Sequence, residues 1–134
     1  MDRAFDHERM EVYQVAIEFV ALADGVIETL PRGRAYLADQ LQRAATSIAL
    51  NIAEGAGEWS GADKARFYRM ARRSATECAA VLDVCRTLRV SDEARLSQGR
   101  ELLIRAVQML VRLARNHEEP GTGTGTGSGS NGTA

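Results

Sequence analysis

Apolar residues recur every three to four positions along most of the chain, which is the spacing of amphipathic helices. In the second of four such stretches, Leu37, Leu41, Ala44, Ile48 and Ile52 form one narrow stripe. In the third, the stripe is Phe67, Met70, Ala71, Ser74, Cys78, Val81, Leu82, Cys85 and Leu88. The breaks between stretches are short. Pro31-Arg32-Gly33 ends the first, because proline cannot continue the hydrogen-bond ladder and glycine permits a turn. Gly55-Ala56-Gly57 ends the second and suits a left-handed cap. Ser60, with Asp63 three residues on, opens the third in the manner of a capping box. Val90-Ser91 breaks it, and Asp92 and Glu93 put negative charge at the start of the fourth. The predicted helices span about residues 6–30, 34–54, 60–89 and 92–116. Short connections favour antiparallel neighbours, so the predicted fold is all-α, an up-down-up-down four-helix bundle.

The first and fourth helices are apolar over more of their circumference. Val12, Val15, Ala16, Phe19, Ala23, Val26, Ile27 and Leu30 form one face of the first, and Met10, Tyr13, Ile17 and Val20 extend it to roughly 240° of the wheel. The apolar residues between Leu102 and Ala114 cover roughly 220° of the fourth, leaving a wet strip of Glu101, Arg105, Gln108, Arg112 and Arg115. A bundle helix needs an apolar arc only somewhat above about 100°. Soluble monomers avoid large exposed apolar patches. The expectation is therefore a homo-oligomer whose interface holds Tyr13, Ile17, Val20, Ile104, Val107 and Val111. The alternative is a loosely patterned bundle with scattered surface aliphatics.

The chain has 134 residues, enough for one domain. Residues 1–119 are assigned to the bundle and 120–134 to a tail ending in GTGTGTGSGSNGTA, where nothing offsets the entropy of ordering. Seventeen Lys+Arg against eighteen Asp+Glu give a net charge of -1, which excludes a strongly cationic coat protein. No run of about 18 apolar residues is present, so no membrane span is expected. Cys78 and Cys85 are seven apart in one predicted helix, a rise of roughly 10 Å, too far to bridge. They read as small buried thiols. Without a disulfide framework or an apolar leader, the expected compartment is the cytoplasm.

Candidate chemistry is sparse. His7 and His117 are the two histidines, and neither follows a Glu three residues back, as di-iron bundles require. No phosphate loop, dinucleotide fingerprint, zincin motif or nucleophile elbow occurs. The chain is read as a non-enzyme with no metal and no cofactor. Its charge, however, is unevenly placed. Residues 1–30 carry two positive and seven negative side chains; residues 61–90 carry seven positive and three negative. Arg66, Arg69 and Arg73 fall within roughly 60° of one another on the third helix, with Arg72 beside them. Arginine forks grip phosphate or carboxylate through paired hydrogen bonds. The strip is a candidate phosphate-backbone patch or a dock for an acidic partner. The plainer readings are a solvated face, or pairing with the acidic first helix of a neighbouring copy. A polar edge, Asn51 and Glu54 on the second helix with Ser74 and Glu77 on the third, is expected to form a hydrogen-bonded set that holds register. A catalytic carboxylate pair, Glu54 with Glu77, is the sharper reading of the same residues.

The run from Gln40 to Gly55, QLQRAATSIALNIAEG, resembles a signature of bacterial four-helix-bundle proteins encoded in intervening sequences of 23S ribosomal RNA. Ser60, Arg66-Phe67, Ala71, Ser74 and Glu77 continue the resemblance, which extends over about residues 5–115. It implies an antiparallel bundle assembled as a homopentamer, and proximity to RNA. Accessory variability proteins of diversity-generating retroelements are similar in fold, which implies a second partner class: a reverse transcriptase and its RNA, held by a basic surface.

Overall fold

Local bonds mark the helix ends at Thr29, Ser60, Arg89 and Asp92, in a computed structural model that describes residues 4–122. The tail expected over 120–134 therefore lies outside the described residues beyond Thr122. A 3-10 turn over Asp6–Arg9 precedes α1, Glu11–Glu28. The single helix expected from residue 6 is thus two elements. Met10 is extended, at φ -89 and ψ 129, and the Glu8 carboxylate accepts the Phe5 N–H at 2.9 Å, closing the turn on itself. Thr29 ends α1 by donating its hydroxyl to the Val26 carbonyl at 3.1 Å, a local bond that competes with the helix ladder.

The second helix, α2, spans Ala35–Ala56 and runs through Gly55. The left-handed cap expected there is absent: Gly57 caps α2 at φ -87, an ordinary right-handed conformation. Lys64 instead holds the last carbonyls, its Nζ donating to Ala56 O at 2.9 Å and Gly55 O at 3.4 Å. A cation at a helix C-terminus also complements the dipole. The third helix, α3, spans Gly61–Leu88, and the Ser60 hydroxyl caps it by accepting the Asp63 N–H at 3.0 Å. The left-handed residue is Arg89, at φ 56 and ψ 44, closing α3. Val90 N–H reaches Cys85 O and Arg89 N–H reaches Arg86 O, both at 3.1 Å. Those are the paired bonds of a Schellman motif, where glycine is usual. Replacing Arg89 with Gly is therefore expected to stabilise the fold by about 0.5–1 kcal/mol, since a side chain at positive φ is strained. Thermal unfolding of the variant checks this, and an unchanged or lower midpoint contradicts it.

The fourth helix, α4, spans Glu93–Thr122, and the Asp92 carboxylate accepts the Arg95 N–H at 3.3 Å at its start. It passes the predicted end at residue 116 because α3 holds its last turns. His117 lies against Tyr68, and Glu118 pairs with Arg69. Each helix packs on its sequence neighbours, and α4 closes the ring against α1; among the described residues the diagonal helix backbones do not approach one another closely. That is the up-down-up-down bundle the spacing predicts. Arg95 ties the closing corner, donating from Nη1 to the Gly25 carbonyl at 2.9 Å.

The core runs the length of the bundle around Phe19, Leu41, Ile48, Ile52, Leu96 and Leu110. All five predicted stripe residues of α2 are buried. On α3 the register differs from expectation. Tyr68 and Ala75 are buried, Phe67 is half-buried, and Met70 and Leu88 are exposed. The buried set Tyr68, Ala71, Ala75, Cys78, Leu82 and Cys85 alternates three- and four-residue steps, the spacing of a packed seam. The wide arcs of α1 and α4 are partly used within the chain. Met10, Tyr13, Val20 and Val107 pack against the core from its edge, while Ile17 and Ile104 remain 43% and 37% exposed. Among the described residues, no helix is long and apolar enough to cross a membrane.

Cys78 and Cys85 are free, buried thiols. Burial, with a smaller push from Glu77, raises Cys78 from its ordinary 9.0 to about 12. The folded thiol thus keeps its proton from pH 9 to about 12 while the unfolded one loses it. The unfolded state then binds fewer protons, so stability is intact below pH 9 and falls as pH rises through that window. Alkylation by iodoacetamide at pH 8 should be slow in the native protein and fast in urea; equal rates would contradict the burial.

Candidate nucleic-acid interface

All four candidate arginines stand on α3 toward solvent, because its core seam turns the opposite face inward. Their surroundings differ. The Arg66 guanidinium lies 4.5 Å over the Phe67 ring and 3.9 Å from an Asp63 carboxylate oxygen. Arg69, half-buried, pairs with Glu118 of α4. Arg72 and Arg73 are exposed and make no ion pair among the described residues. Two guanidiniums are therefore already engaged by carboxylates and two present their forks to water. Glu77, one turn beyond Arg73, shares this face and moderates its field.

The polar set on the α2–α3 seam is narrower than expected, and centred elsewhere. Asn51 Nδ2 donates to the Ser47 hydroxyl and carbonyl, each at 2.9 Å. The Ser74 hydroxyl bonds Ser47 Oγ at 2.9 Å across the seam. Ser47 is thus the hub. Glu54 and Glu77 are exposed and their carboxylates take no hydrogen bond among the described residues, so neither belongs to a buried set. Each lies three residues beyond its partner, a rotation of about 60° toward water. They form no catalytic pair enclosed by protein. Ser47 lies one turn before Asn51 on the same polar edge of α2, and its central place follows from bonding both Asn51 and, across the seam, Ser74.

The two groups of candidate interface residues sit on opposite sides of the bundle. Ile17 and Val20 line a groove between α1 and α2 with Asp24, Gln42, Ala45 and Thr46. Tyr13 extends that side and packs edge-on against His7, in the turn that covers α2. Ile104, Val107 and Val111 share one stripe of α4 with Glu93 and Glu118, spaced by three, four, seven and eleven residues. Both glutamates pair with α3 arginines, Arg86 at 3.1 Å in the first case, so this stripe borders α3.

One end of the bundle gathers most of the aromatic rings. Tyr68 is buried beside His117, with ring centroids 5.8 Å apart, and burial followed by the Asp6 charge raises its phenol above the ordinary range. Phe5 stacks on His7 with centroids 5.7 Å apart. Trp59 projects from the α2–α3 connection and is 98% exposed. Trp59, Phe67 and Tyr68 are the aromatics the sequence sets near the arginine strip. The fold separates them: threes and fours counted back from Cys78 reach Tyr68, which is buried, while Trp59 is left in water. Among the described residues, no group of three His, Cys, Asp or Glu side chains is placed to hold a metal ion.

These features define a small, all-helical bundle with one arginine-rich helix face and no fully buried polar or charged residue among its described residues. The chain belongs to the 23S rRNA-intervening sequence protein family, whose family model matches residues 8–112. A crystal structure of a protein of unknown function, from the S23 ribosomal protein family of Bacteroides thetaiotaomicron, superposes with a TM-score of 0.72. The two are 19% identical, over 78% of this chain and 98% of that one, a likeness that speaks to the fold alone. No curated protein matches the chain.

Proposed function

We propose that the protein is a non-enzymatic, self-assembling bundle that contacts RNA or a ribonucleoprotein through α3. The observation that carries this reading is the row of Arg66, Arg69, Arg72 and Arg73 on one solvent-facing helix side, with Arg72 and Arg73 unengaged by carboxylates among the described residues. A guanidinium fork matches a phosphate in geometry and charge. Four phosphate contacts to a single strand give an affinity that falls about fifty-fold over a four-fold rise in salt. Anisotropy titrations of labelled RNA across salt concentrations test this. Changing Arg72 and Arg73 together to Glu should remove most of the binding and leave the melting temperature unchanged, because both side chains are exposed. Salt-indifferent affinity, or a variant that binds normally, removes the reading.

The placement of surface apolar residues supports assembly. Ile17 and Val20 on one side and Ile104, Val107 and Val111 on the other are two unlike surfaces on opposite faces. A two-fold dimer uses one patch against itself, whereas unlike patches join head to tail and form a ring where the rotation between copies closes. Five is the copy number the family resemblance implies. Sedimentation of the native chain against Ile17→Glu and Ile104→Glu variants tests the arrangement.

A further inference from the structure

The aromatic end of the bundle adds a recognition element to the arginine row. From the exposure of Trp59 beside that row, we infer that the protein binds unpaired RNA by stacking a base on the Trp59 indole; this rests on the RNA reading above. Trp59 is 98% exposed, and no ring or guanidinium lies over it among the described residues. A large aromatic wholly in water makes no contribution to the core, and both of its faces are open. The other rings at this end are engaged to differing degrees: Arg66 lies over Phe67, His7 stacks on one face of the otherwise exposed Phe5, His7 meets Tyr13 edge-on, and Tyr68 is buried. Trp59 immediately precedes the Ser60 cap of α3, so Arg66 stands only about 9 Å further along the axis. Arg69 and Arg73 follow on the same side.

Charge alone is a poor discriminator at this end. Asp6, Glu8, Glu54, Glu58 and Asp63 lie on the turn, the end of α2, the α2–α3 connection and the start of α3, and they dilute the field of the arginines. A duplex hides its base faces and offers only phosphates to such a surface. A single strand offers phosphates and an open base face together. Base–aromatic stacking contributes about 1–3 kcal/mol per base and tolerates any base. The ligand class is therefore single-stranded or unpaired RNA with little sequence preference.

Because Trp59 is the chain's one tryptophan, its fluorescence reports on this site alone. The probes are an oligoadenylate of about 12 nucleotides, within the range such surfaces cover, and an RNA duplex of equal length. Oligoadenylate should quench the emission, and the duplex should not. Trp59→Ala should weaken oligoadenylate binding roughly five- to a hundred-fold while leaving duplex binding and helix content unchanged. Trp59→Phe, which keeps a ring, should recover part of the loss. Unquenched emission, or equal losses for both RNAs, overturns the inference while salt-dependent binding keeps the RNA reading standing. No binding of either RNA ends both. Altered sedimentation of Trp59→Ala with unchanged RNA affinity assigns Trp59 to contact between copies, and likewise overturns it.

Discussion

Phe19→Ala should lower the free energy of unfolding by about 3–5 kcal/mol. The ring is 1% exposed and is among the largest fully buried side chains. It reaches from α1 to α4, where its Cε1 lies 3.4 Å from the position a Cβ on Gly99 would take. Removing it takes away both its transfer energy and the contacts of the atoms around it. Leu22 and Leu82 border the same place, but both are already anchored in their own helices, so the cavity refills only in part. Small domains are stable by about 5–15 kcal/mol in total. The loss is thus about a fifth or more of the fold's stability. Urea unfolding followed by far-ultraviolet circular dichroism measures it. Tryptophan emission is unsuitable here, since Trp59 is 98% exposed before unfolding begins. A loss below about 1 kcal/mol would mean that Phe19 lies outside the packed core.

Gly55 should tolerate no side chain, while Gly57, two residues on, should accept one. A Cβ on Gly55 would stand 2.8 Å from Tyr68 Cε1 and 3.0 Å from Phe67 Cβ. Neither neighbour can give way. Tyr68 is wedged against His117, and the Phe67 Cβ moves only with the backbone of α3. Overpacking of this kind costs about 1–3 kcal/mol, and Gly55→Leu belongs at the upper end because it adds a branched chain where one carbon already collides. For Gly55→Ala, a helix-propensity gain of up to about 1 kcal/mol offsets part of the cost. At Gly57 a Cβ would meet nothing closer than 3.7 Å, and its φ of -87 suits any residue. Gly57→Ala should therefore stabilise by about 0.4–1 kcal/mol through the unfolded chain. Denaturant midpoints of the three variants decide the matter. If both glycines responded alike, close helix approach at Gly55 would not be the reason for its glycine.

That contrast shows where reading the chain succeeds and where it stops. The GAG stretch marks the end of a helix in either view. Its chemistry as a cap was legible only as a class of possibilities, and the tertiary approach of α3 assigned Gly55 to packing. The arginine row is similar. Positions 66, 69 and 73 share a face by helical periodicity alone, so the row was visible in the sequence. The engagement of Arg69 by Glu118, 49 residues away, was not. A carboxylate near the end of α4 reaches α3 only because the bundle closes in an antiparallel ring.

Local patterning is enough for the four helices, the breaks at Pro31 and Gly33, the Ser60 cap, the α2 stripe and the family signature from Gln40 to Gly55. These depend on residues within a turn or two of each other, where dihedral preferences and capping bonds act. The tertiary structure alone decided the rotation of α3, which buries Tyr68 rather than Phe67, and the outward turn of Glu54 and Glu77. It also placed Ile17 and Ile104 on opposite sides. Periodicity fixes the angles between side chains on one helix. It leaves free the rotation of that helix against its neighbours, which the volumes meeting in the core select.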